Sequence, residues 1–172
     1  MGPLVLLILL SFPLAGQKLH ELCGVCHGEV VKDFLNHPHF QKGLTCSICH
    51  GESLQHRTSQ GHTEPDRIAS PHEIPELCGS CHPGKGPAPI ATQYSQSKHG
   101  KLVLGQSKVR AAHCGTCHGV HDRREGKAVE VQCKRCHTRL PASCSARPSR
   151  TAAVSCAACH SPHTLLVLSG VR

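Results

Sequence analysis

Cys114-Gly115-Thr116-Cys117-His118 is one of six copies of the pattern Cys-x-x-Cys-His in a chain of 172 residues. The others are Cys23, Cys26 and His27; Cys46, Cys49 and His50; Cys78, Cys81 and His82; Cys133, Cys136 and His137; and Cys156, Cys159 and His160. Together they take up twelve of the 13 cysteines. The pattern is a signature of covalent c-type haem attachment. Two thiols add to the two haem vinyl groups, and two intervening residues let one turn of chain reach both. The His that follows then lies under the iron and supplies its proximal nitrogen.

Three other uses of paired cysteines explain less. Zinc sites use Cys-x-x-Cys pairs, but zinc gives no reason for a His directly after all six. Redox-active pairs of the thioredoxin kind come singly on a strand–helix unit. A disulfide framework suits an exported chain, yet six repeats of the same close spacing make an odd scaffold.

Composition agrees with haem. The chain has no Trp, one Tyr and three Phe, is 2% aromatic, and carries 16 Gly and 12 Pro. A single domain of this length normally closes around Leu, Ile, Val and large aromatic side chains. Six porphyrins would supply the core that the residues lack. The expected fold is therefore mostly irregular, with short α-helices and little or no β, wrapped around a stacked haem chain. Gly28 to Leu35 and Lys127 to Arg135 have helical character, and strand signals are nearly absent. Gly and Pro at Pro83-Gly84-Lys85-Gly86-Pro87, Pro141 and Pro148 mark loops.

Residues 1–16 read as a signal peptide. Leu4 to Leu10 are seven aliphatic residues in a row, followed by Ser11-Phe12-Pro13-Leu14-Ala15-Gly16, although no Lys or Arg precedes them. The run is shorter than the roughly 20 residues a membrane span needs. Export fits the chemistry, because c-type haem is attached outside the cytoplasm. Residues 17–172 then form one hexahaem domain. The long gap from His82 to Cys114 suggests lobes at 17–90 and 91–172. The aliphatic Leu165-Leu166-Val167-Leu168 reads as a buried terminal segment.

The sixth iron ligand separates an electron wire from an enzyme. Methionine is a common choice in cytochromes c, but the only Met is Met1, inside the signal. Ten histidines remain beyond the six proximal ones: His20, His37, His39, His56, His62, His72, His99, His113, His121 and His163. Six would complete bis-histidine ligation. His121 and His163 each stand three residues after a proximal His. Neither can cap the opposite face of that same haem, but each can reach a neighbouring iron.

Several blocks carry a family resemblance. Cys23-Gly-Val-Cys-His27, the motif at Cys46 and His37-Pro-His39 between them resemble the start of exported multihaem cytochromes of the cytochrome c3 and NapC/NirT-like type. Ser97-Lys98-His99-Gly100, with Cys114-Gly-Thr-Cys-His118-Gly-Val-His121, is similar to a recurring central block of that group. Ser70-Pro71-His72 and Cys159-His160-Ser-Pro-His163 look like two more. By position, the resemblance implies distal roles for His39, His56, His72, His99, His121 and His163. His37 rivals His39, His62 rivals His56, and His20 and His113 remain candidates. Cys144 departs from the pattern as an odd thiol outside any motif, expected to be buried or semi-exposed.

The formal charge of +8 needs recounting if haem binds. With both propionates ionised at neutral pH, a ferric c-type haem carries about −1 and a ferrous one about −2. Six would bring the holoprotein to about +2 or about −4. Basic residues near motifs, such as Arg123-Arg124 and Lys134-Arg135, are candidates to pair with propionates. A nucleic-acid role has no stacking aromatics behind it.

The function expected is electron transfer through six covalently bound, mainly bis-histidine haems, in a periplasmic or extracellular conduit and not an enzyme. Its partners would be other redox proteins or cytochromes, or further copies stacked end to end in a filament. The alternative is a multihaem reductase of nitrite, hydroxylamine or a sulfur oxyanion, with one open haem.

Overall fold

The computed structural model describes residues 16–84, 88–105, 110–140, 142–145 and 155–170. All but Gly16 of the expected signal peptide lies outside them, as do the loop prolines Pro87, Pro141 and Pro148. Eleven short helices are present among the described residues: α1 (Gly16–Gly24), α2 (Gly28–Leu35), α3 (Pro38–Gln41), α4 (Cys46–His50), α5 (Leu54–Thr58), α6 (Ile74–Gly79), α7 (Ile90–Gln96), α8 (Lys98–Gly105), α9 (Cys114–His118), α10 (Lys127–Cys136) and α11 (Ala142–Ser145). A 3-10 turn spans Cys156–Ala158. The described residues contain no strand, and an isolated antiparallel bridge joins His160 to Val167. The helical and irregular character expected from the sequence is what the chain adopts, and α2 and α10 fall where helical character was read.

Local chemistry explains the breaks. In α2, Glu29 sits in the first turn, where a carboxylate complements the helix dipole, and Phe34 turns inward and is buried. Pro38 opens α3 at a position where its missing N–H costs nothing. The imidazole of His37 caps that helix, with Nδ1 accepting from the His39 backbone N–H at 3.1 Å. The motif helix α9 stops at Gly119, whose φ of 72° lies in the left-handed region open to glycine. A Cβ there would stand 1.7 Å from the carbonyl oxygen of Asp122, so the turn that follows His118 is closed to any other residue.

The protein core is small. Phe34, Tyr94 and Val103 are its buried hydrophobic side chains among the described residues. Two of the three belong to α7 and α8, which pack together and fill the long gap before Cys114. The Tyr94 hydroxyl donates to the Ala112 carbonyl at 2.8 Å. Ser97, fully buried between the two helices, accepts from Gly100 N–H at 2.9 Å. Gly100 permits this closeness, since a Cβ there would lie 2.0 Å from the Tyr94 carbonyl oxygen.

The C-terminal aliphatic segment is not buried by protein. Leu166 and Val167 are 63% and 60% exposed. The cause is a tight reversal. Ser161 donates to Leu166 and Leu168 donates to Cys159, which turns the segment back along the last motif with no further element among the described residues to cover it. Cys144 is likewise exposed.

Candidate haem-binding centre

The motif helices neighbour one another. α1 packs on α4, α6 on α9, and α9 on α10, so motifs one and two, three and four, and four and five are brought side by side. Motif six joins through Glu130 of α10, whose Oε1 accepts from the Cys156 backbone N–H at 2.9 Å. That bond holds the Glu130 carboxyl below its ordinary range.

Thiols from different motifs meet along the same line. Cys46 interacts with Cys23, and burial pushes its thiol up to about 11. Cys114 hydrogen-bonds to Cys78, which lowers Cys78 and raises Cys114. Cys156 contacts Cys133. All 13 cysteines are free thiols. A tetrahedral zinc site needs four converging ligands. Among the described residues no three His, Cys, Asp or Glu converge in that way.

The histidines are arranged in pairs. Five of the six motif histidines face a histidine from elsewhere in the chain. His27 and His56 have ring centroids 6.0 Å apart and planes 13° from parallel. His50 and His121 are 6.0 Å apart at 21°, and His118 and His163 are 6.2 Å apart at 30°. His39 and His82 are separated by 5.7 Å, and His99 and His137 by 5.9 Å. The Nε2 atoms of His39 and His82 point at each other across 3.4 Å.

These spacings suit a metal between two imidazoles. A metal–imidazole bond of roughly 2 Å on each side puts the two nitrogens about 4 Å apart and the ring centroids about 6 Å apart. Burial also favours the neutral form at four of the rings. Burial, followed by the facing ring, lowers the pKa values of His39, His99, His121 and His163. Ligation requires the neutral form.

Backbone carbonyls orient several of these rings. Nδ1 of His50 lies 3.1 Å from the Arg67 carbonyl oxygen, that of His56 lies 2.7 Å from Thr63, and that of His160 lies 3.0 Å from Leu165. Metal-bound histidines commonly donate their second N–H in this way, which fixes the tautomer and leaves Nε2 free. No sequence signal marks these carbonyls, since any residue supplies one.

The remaining histidines are placed differently. His37 is spent on capping α3 and is buried at 7% exposure against Phe34, so of the rivals His37 and His39 it is His39 that faces a motif ring. Likewise His56, and not His62, meets His27. His20 lies edge-on to Phe40 at 5.0 Å. His113 directly precedes α9, with its Nδ1 buried and unpartnered. His72, expected at an iron, instead has Nε2 3.2 Å from the Leu104 carbonyl oxygen and faces no second ring.

The proposed propionate partners are partly engaged within the chain. Arg124 pairs with Asp122 at 2.7 Å and bonds the Thr116 carbonyl at 3.0 Å, tying the loop after α9 to its helix. Arg123 pairs with Glu125, and Arg135 bonds Gln132.

No protein-family model matches this chain, and no curated protein and no solved structure matches it significantly. No helix among the described residues is long and apolar enough to cross a membrane.

Proposed function

We propose that the chain is an exported electron conduit that holds six covalently attached c-type haems, of the cytochrome c3 and NapC/NirT-like kind. Haem, when bound, supplies reversible one-electron iron chemistry. The observation that carries this reading is the set of five histidine pairs, each joining a motif histidine to one outside the motifs at 5.7 to 6.2 Å.

The chain's own residues have three tasks. The thiols Cys23 and Cys26, Cys46 and Cys49, Cys78 and Cys81, Cys114 and Cys117, Cys133 and Cys136, and Cys156 and Cys159 anchor the cofactors. The five imidazole pairs would hold five of the six irons, and a nitrogen ligand in place of Met would keep reduction potentials low. The packing of successive motif helices sets the spacing between neighbouring sites. His118 and His121 stand three residues apart and serve two different pairs, so the turn after α9 would tie two sites together.

A pyridine haemochrome assay with intact mass measurement tests the proposal. Six covalent haems per mature chain is the expected result, with reduction spread over several low potentials in a spectroelectrochemical titration. A chain that carries no haem when matured in a host competent for c-type attachment would sink it. The second reading, a multihaem reductase, is favoured by a single observation: His160 alone among the motif histidines faces no second ring.

A further inference from the structure

The five pairs follow a progression. His50 of motif two is faced by His121, three residues past motif four, and His118 of motif four is faced by His163, three residues past motif six. His82 of motif three is faced by His39 from between motifs one and two, and His137 of motif five by His99 from between motifs three and four. His56 closes the first site on His27. The same progression offers His160 no partner among the 16 histidines, every one of which is described.

His160 is nonetheless set up as a ligand. Its Nδ1 is held by the Leu165 carbonyl at 3.0 Å, which leaves Nε2 for iron. None of the histidines left over stacks on the His160 ring. His37 caps α3 through Nδ1, and the Nε2 of His72 is engaged by Leu104. His20 packs on Phe40, His62 sits in the turn after α5, and His113 is buried at the start of α9. Beside motif six, one face of α10 forms a groove of 240 Å³ lined by Lys127, Glu130, Val131 and Lys134. Glu130 ties that face to Cys156. Two ammonium groups against one carboxylate leave the groove net positive.

From this pairing pattern we infer that the iron held by His160 is open on its far face and takes a small exogenous anionic donor of the azide or nitrite class. The inference rests on the haem reading of the six motifs. It makes motif six a ligand-binding terminus on a chain of otherwise closed sites.

Low-temperature EPR of the dilute, ferric, monomeric holoprotein tests it, with sodium azide and imidazole as probes. One iron in six should be high-spin. Azide should convert it to low-spin at one equivalent per chain, and at lower concentration than imidazole does. That advantage should shrink as salt screens the groove. The variant C156S/C159S should lose the high-spin signal and keep five low-spin irons. Six low-spin irons in the monomer would overturn the inference and leave the haem reading standing. So would a high-spin signal that survives C156S/C159S. Conversion to low spin when chains associate without azide would replace the small ligand with a second copy's histidine. Tighter binding of imidazole than of azide would overturn the anionic assignment. Absence of covalent haem would remove both readings, an outcome the haemochrome assay separates from all the others.

Discussion

The α7–α8 pair and the last motif solve the burial problem in opposite ways. Between Ile90 and Gly105 the chain packs on itself, with Val103 at 2% exposure, Tyr94 at 7% and Ser97 at 0%. Around Cys156 it leaves aliphatic side chains uncovered, with Leu166 at 63%. The first region is held by protein contacts at backbone distance. The second is held by hydrogen bonds of a tight turn and by Glu130. Protein packing is thus concentrated where the sequence runs longest without a motif. Wherever motifs crowd, the volume that side chains would fill is left to the porphyrins under the haem reading.

That difference can be attacked directly, and the largest effect should come from withholding haem. The three buried hydrophobic side chains among the described residues cannot offset the conformational entropy of a chain this long. Material made without the attachment machinery should show no cooperative thermal transition by far-UV circular dichroism. A cooperative apo transition would mean that protein contacts alone suffice. Gly100→Ala comes next. Its Cβ collides with the Tyr94 carbonyl, so the α7–α8 contact must open, at a cost of about 3 kcal/mol. The melting temperature of the holoprotein should fall, and His99 should shift against His137, which the low-spin EPR signal of that site would register.

Tyr94→Phe keeps the ring and removes the bond to Ala112. A loss of about 1 kcal/mol in denaturant unfolding is expected, with the spectra of the haems unchanged. Glu130→Gln probes the other region and should have the smallest effect. The carboxyl is held below its ordinary 4.5 by the Cys156 amide. Its contribution is therefore present above pH 4.5 and is lost as pH falls through the lower, folded value. The parent protein should lose a little thermal stability under acid that the Gln variant does not. Because Glu130 is nearly unburied, solvent screening keeps the effect small.

What was legible in the sequence was what covalent chemistry makes local. The six motifs follow from two thiols and an imidazole within five residues. The short helices over Gly28–Leu35 and Lys127–Arg135 were visible because helical periodicity is local too. The residues alone did not separate His39 from His37, which only the family resemblance ranked, because the difference lies in which imidazole caps α3. The pairings were not legible either, since His39 meets His82 and His50 meets His121 across dozens of residues with irregular gaps. His72 has the flanking residues of a ligand but lies where Leu104 takes its Nε2. The segment Leu165–Leu168 looked like core because it is aliphatic. Burial needs a neighbour, and the described residues provide none there.

If the chain is exported as proposed, the reach of those pairs also bears on the order of events. If the chain emerges N-terminus first, His50 appears 71 residues ahead of His121, and His118 appears 45 ahead of His163. His82, by contrast, arrives after its partner His39. Under the haem reading, motifs three and five could therefore close as soon as they are made, whereas motifs one, two and four would wait half-ligated until later chain arrives. A stalled export event would strand whichever of motifs one, two and four had not yet met its later histidine.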